Sequence, residues 1–166
     1  NGFRDLHDLE GLKKYLIIQG QGWLDNDIFK YNSLQSFAVA TKSQCLDMIA
    51  LKRADVYFRG LNEVSFEIER RKKSLGDVNI TTDSHIALHY PMPKFFITAK
   101  SNITNAKRVE EGLIRAYNDG SFIELWEANN IDAIHSQRLD ERRIIELTNP
   151  FITKLDDSYK KYNYQL

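Results

Sequence analysis

The sequence predicts an α/β fold whose parallel-type sheet is linked by crossover helices. Three observations carry this. Short apolar runs alternate with helix-patterned stretches through residues 15–74, the links between them are short, and each run ends on a glycine or a capping residue. The first run, Tyr15-Leu16-Ile17-Ile18-Gln19, enters Gly20-Gln21-Gly22 and reads as a buried strand followed by a turn. Trp23 to Tyr31 has helical spacing, and Phe37–Thr41 is a second strand. Ser43 is placed to cap the next helix, where Leu46, Ile49 and Ala50 recur on one face. Ala54–Arg59 is a third strand ending at Gly60, and Asn62 is placed to cap a charged helix that runs to Ser74.

The second half follows a different rhythm. Ile86–Tyr90 and Phe95–Ala99 read as strands flanking Pro91-Met92-Pro93, a step that cannot sit inside a hydrogen-bonded ladder and so marks a junction or an edge. The next helix places Ala106, Val109, Leu113, Ala116 and Tyr117 on one face, the cleanest amphipathic pattern in the chain, and is expected to face a core. Asp119-Gly120 stops it. Phe122, Leu125 and Trp126 open another short helix, and Ile144–Leu147 is a strand closed by Pro150. The tyrosine-rich tail from Asp156 is expected to be mobile or packed on a neighbouring molecule.

Composition narrows the function classes. Lys+Arg and Asp+Glu both number 23, and Arg70-Arg71-Lys72-Lys73 lacks interleaved aromatic residues, so nothing points to nucleic acid. No apolar run approaches the length of a membrane span. Cys45, the single cysteine, lies in an apolar helical stretch and reads as a buried structural thiol. His7, His85, His89 and His135 have no metal-binding spacing, Gly20-Gln21-Gly22 falls short of a dinucleotide or phosphate loop, and no nucleophile elbow is present. The reading is therefore a non-enzyme, with no metal and no cofactor.

Two constellations suit ligand recognition. Gln21, Gly22 and Trp23 stand between a strand end and a helix start, where free N–H groups, a positive helix end and an aromatic plate converge. The competing reading is a tight turn with Trp23 plugging the core. Arg59, Asn62 and Glu63 follow the third strand, at the end of a sheet where open α/β folds bind ligands. Arg59 offers a planar fork for a carboxylate, and Glu63 a partner for a cation. The competing reading there is an Arg–Glu pair beside a capping Asn62.

Four segments, in order, are similar to the type 2 periplasmic-binding-protein fold, specifically the bacterial extracellular solute-binding proteins of family 3. They are Asp8-Leu9-Glu10-Gly11-Leu12, Met48–Asp55, Tyr90-Pro91-Met92-Pro93, and Glu111-Gly112-Leu113 with Asp119-Gly120-Ser121-Phe122. The resemblance implies that residues 1–85 form the second, small lobe. Residues 86–150 would make the hinge crossing and the returning part of the first lobe, and residues 151–166 a tail. It further implies a periplasmic or extracellular module that closes around an amino acid or a related polar solute, serving a membrane transporter or a sensor. In amino-acid binders of this family, hydroxyl side chains hold the ligand carboxylate where this chain has Gln21 and Trp23. An aspartate stands where this chain has Arg59-Gly60. The family's first-lobe arginine and aromatic clamp would fall ahead of Asn1, so the first lobe would be completed by a preceding segment or by a second copy in a homo-oligomer. The alternative expectation is an interaction or assembly domain of the same fold without a ligand pocket.

Overall fold

The computed structural model describes residues 3–76 and 79–164. It is a mixed α/β structure with two small parallel sheets. The chain runs α1 (Leu9–Leu12), β1 (Ile17–Gly20), α2 (Leu24–Tyr31), β2 (Ser36–Val39), α3 (Lys42–Ala50), β3 (Val56–Tyr57) and α4 (Val64–Leu75). It continues through β4 (Ile86–His89), α5 (Ile103–Asn118), α6 (Ser121–His135) and β5 (Arg143–Glu146). In the first sheet β1 is central, with β2 and β3 parallel on either side, as the strand–helix alternation predicts. The second sheet pairs β4 with β5 in parallel across a connection that contains α5 and α6.

Alternation along β1 sends its neighbouring residues to opposite faces. Ile17 joins the larger core with Leu12, Ile28, Phe29, Leu34 and Val56, and Ile86, Ile145 and Leu147 of the second sheet enter the same core. Ile18 faces the other way, onto Cys45 and Ala54, with Met48 and Ile49 of α3 packed alongside. The sheet is thus covered on both faces, which explains a β1 strand buried throughout. The Cys45 thiol is fully buried, and burial raises it above its ordinary value despite the nearby Arg59 charge. Polar ties lock the two halves together. Asn32 at the end of α2 exchanges two hydrogen bonds with the Thr148 backbone (2.8 and 2.9 Å), Arg143 donates to the Leu6 carbonyl (2.7 Å), and Asn149 donates to the Pro91 carbonyl (2.8 Å).

Several local expectations are corrected. Thr41, not Ser43, caps α3, its hydroxyl accepting the Gln44 N–H at 3.2 Å. Glu63 stands at the start of α4, and Asn62 instead donates to Asn130 on α6 at 2.7 Å. The third strand is confined to Val56 and Tyr57, because only those residues register against β1. The Phe122 helix is not short: α6 spans 15 residues.

Two larger departures lie in the second half. Phe95–Ala99 is no strand, since no described segment pairs with it, and Phe96 and Ile97 are 79% and 93% exposed. The apolar face of α5 does not enter a core: no α5 residue is buried, and Val109, Leu113 and Ile114 remain exposed. The amphipathic pattern is real, but the described residues provide little to cover it. The tail does not extend away. Tyr159 packs edge-on to Phe95, Tyr162 packs edge-on to Tyr117, and Tyr164 stacks on Trp126 at 4.1 Å while donating to Glu127 at 2.6 Å. The Tyr117 hydroxyl returns a hydrogen bond to the Lys161 carbonyl. The tail tyrosines are thus packed on the chain itself, Tyr162 and Tyr164 on the α5–α6 hairpin and Tyr159 on Phe95.

Candidate functional site

A cleft of ≈ 1050 Å³ opens where the residues following β1 and β3 face β4 and β5. Trp23, Leu24 and Asp25 form one wall and Val56–Val64 the floor, while the residues of β4, Gln137, Arg142 and Glu146 form the opposite side. A separate shallow depression is lined by a single stretch of α5 and α5's end, Glu111 to Asp119, and gathers groups from no other element.

Why Trp23 sits at this rim follows from the turn. Gly22 adopts φ +76°, which glycine accepts without strain. Gly20 serves a different need: a Cβ there would fall 2.3 Å from the indole of Trp23, so glycine leaves the space the ring fills. Asn26 then fastens the turn by donating to the Gly20 carbonyl at 2.8 Å. Replacing Gly20 with alanine is expected to push the indole off its seat at a cost of about 1–3 kcal/mol. A shift in the emission of the Trp23-only W126F background would record it, and an unchanged spectrum and unchanged unfolding midpoint would refute it.

The indole is already covered. The Arg59 guanidinium lies 4.7 Å from the Trp23 ring centre, and Lys42 Nζ lies 5.7 Å from it. Tyr57 stacks nearby with ring centres 6.4 Å apart, and Arg59 is also 5.7 Å from the Tyr57 ring. Arg59 is in turn gripped by acids. Its Nε and Nη2 donate to the two oxygens of Glu67 at 2.9 and 2.7 Å, and Nη2 also meets Glu63 at 2.8 Å. Glu67 takes Lys42 as well, at 3.2 Å. Burial works against the Arg59 charge, but the Glu67 hydrogen bond and the surrounding groups outweigh it and raise its affinity for the proton. Burial also raises the Tyr57 hydroxyl, which lies beside the buried Cys45 thiol.

Of the six residues singled out from the sequence, Trp23, Arg59, Asn62 and Glu63 line the cleft together. Gln21 and Gly22 do not line it, and the Gln21 N–H is committed to the Val39 carbonyl at 2.8 Å. Arg59 and Glu63 are bonded to each other, the arrangement of the competing Arg–Glu reading. The missed participants are Asp25, Tyr90 and Arg142. The Tyr90 hydroxyl donates to Asp25 Oδ1 at 2.5 Å and is raised first by burial and then by that carboxylate. No local pattern joins residues 65 positions apart. Glu67 was legible in principle, since Glu63 and Glu67 share one helix face at i, i+4 beyond Arg59.

Among the described residues no group of three or more His, Cys, Asp or Glu is placed to hold a metal ion, and no helix is long and apolar enough to cross a membrane. No protein-family model, no curated protein and no solved structure matches this chain.

Proposed function

We propose that the chain is a solute-binding module, transport-linked or sensory, that encloses a small polar solute in the Trp23–Arg59 cleft. The observation that carries this reading is the cleft itself. It lies past the carboxyl ends of β1 and β3, the position at which parallel α/β sheets place their ligands. It mixes aromatic surface with charged groups that have fixed orientations, the composition of a small-molecule site. The parallel α/β architecture is compatible with a type 2 periplasmic-binding-protein-like fold, and the resemblance of the segments from Asp8 to Phe122 to family 3 is what suggests that fold in particular. On this reading the protein is not an enzyme and works outside the cytoplasm. Residues 1–85 act as one lobe, 86–150 as hinge and returning lobe, and 151–166 as the tail. The exposed Phe95–Ile97 row and the α5 face are then the places where a preceding segment or a second copy completes the first lobe.

A thermal-shift screen of the full chain against amino acids, short peptides, sugars and organic acids tests the proposal. Stabilisation of a few degrees by at least one class is expected, since ligand at a hundredfold excess over Kd adds about 2.7 kcal/mol. A flat response across the panel sinks it. A second reading, an assembly domain with no ligand pocket, is favoured by one observation: Arg59, Glu63 and the Trp23 face are already engaged with one another. Under that reading no solute stabilises the parent chain, and the W23A and R59A variants leave association between chains unchanged.

A further inference from the structure

Four acids and four cations line the cleft, and among the described residues two of those cations are not in ion pairs. Every carboxylate that lines it has a donor. Asp25 takes the Tyr90 hydroxyl, and Glu63 takes Arg59. Glu146 pairs with His89 Nδ1 at 2.7 Å. Asp83 pairs with His85 Nδ1 at 2.9 Å and accepts the backbone N–H groups of His85 and Ile86 at 2.8 and 2.9 Å. Among the cations, Arg59 and Lys42 are answered by Glu63 and Glu67. Lys94 and Arg142 also line the cleft, and neither has a carboxylate at ion-pair distance among the described residues.

Arg142 is the more telling of the two because it is half-buried and held in place. Its Nε donates to the Gln137 carbonyl at 2.6 Å, Nη1 to the Ile86 carbonyl at 3.3 Å, and Nη2 to Gln137 Oε1 at 3.4 Å. Gln137 is itself buried and anchored, donating to the Ser65 hydroxyl at 2.7 Å. All three acceptors are neutral. A guanidinium carries five N–H groups in a rigid fork, so two remain beyond these bonds. Burial lowers the guanidinium's proton affinity, the Arg138 charge adds to that, and the charge of Asp83 opposes it. An arginine does not escape such a cost by losing its proton; it is relieved by an anion. Arg138, by contrast, is exposed and already paired with Glu141.

We propose that Arg142 is the anion-binding group of the cleft, oriented by Gln137 and Ile86 to receive a carboxylate or phosphate carried by the solute. Lys94 adds a second positive charge to the same cleft. The proposal rests on the solute-binding reading for its location and narrows the ligand to a molecule bearing an anion.

The test titrates the full chain with inorganic phosphate, with succinate and with glucose as a neutral solute. It follows the arginine Nε–H nitrogen signals and the thermal midpoint in parallel. The Arg142 signal, assigned by its loss in R142Q, is expected to move with at least one anion and to stay still with glucose. R142Q is expected to weaken that anion roughly tenfold or more, and R142K, which keeps the charge but not the fork, by less. Response to phosphate or to succinate alone assigns the anion's source. Equal anion affinity in the parent, R142Q and R142K overturns the proposal. Stabilisation by glucose alone overturns it while leaving the solute-binding reading standing. Movement at Arg142 without a thermal shift from any solute supports the anion site and counts against enclosure of a solute. No response in either channel sinks both.

Discussion

Removing the Arg59 side chain, as in R59A, is expected to lower unfolding stability by about 2–4 kcal/mol, because it strands Glu67, an acid that the fold has drawn out of water. The Arg59 and Glu67 side chains are only 9% and 13% exposed, so neither charge can turn to solvent without moving the start of α4. Lys42 at 3.2 Å from Glu67 limits the loss, which is why the effect falls short of that for an isolated buried pair. R59K keeps a charge but not the two-pronged contact, and its cost is expected near 1 kcal/mol. Urea unfolding of R59A, E67Q and the double variant measures the coupling directly. The double variant should lose less than the two single losses added, as residues in one network do. Strict additivity, or an R59A midpoint equal to the parent's, would show that the contact does not hold the cleft floor.

A second large effect is expected at Phe29, which is fully buried in α2. Its ring meets Phe58 at 5.7 Å and Tyr90 at 6.2 Å, both edge-on, so it links α2 to the floor and far side of the cleft. F29A is expected to cost about 3–5 kcal/mol, which for a chain of this size lowers Tm by roughly 10 °C. Because Tyr90 leans on that ring while donating to Asp25, the same variant should loosen the Tyr90–Asp25 contact. Calorimetry checks the first expectation, and the Tyr90 ring signals in an NMR spectrum check the second. A loss under 1 kcal/mol would mean that the core does not close over Phe29 as described.

What the sequence disclosed depended on whether a contact was local. The β1 run, the α2 spacing and the Asp119-Gly120 stop are decided by neighbours in the chain, and they stand where the pattern puts them. Gly120 takes φ +84°, as a helix-ending glycine should. Phe95–Ala99 misled because strand composition declares only a willingness to pair, and no described strand is there to accept it. The α5 stripe misled in the same way: periodicity reveals which face is apolar, not whether anything lies against it. The cleft was half legible. Trp23, Arg59, Asn62 and Glu63 follow strand ends, a topological rule that needs no partner. Arg142 lies in a polar stretch among Arg138, Glu141 and Arg143 and looks like any solvated charge. Only its place beside Gln137, its burial and its lack of an acid partner set it apart.

The central claim is that a solute enters the Trp23–Arg59 cleft, and the chain's two tryptophans allow a direct test. Trp23 lines the cleft, whereas Trp126 does not and meets it only through Tyr164, a lining residue that stacks on it. With 5-fluorotryptophan in both positions, fluorine NMR of the full chain gives one signal for each, assigned by W23F and W126F. During titration with amino acids, peptides, sugars and organic acids, at least one solute is expected to move the Trp23 signal saturably and by more than the Trp126 signal. A Trp23 signal that no solute moves, or one that moves less than Trp126 with every solute, would contradict the account.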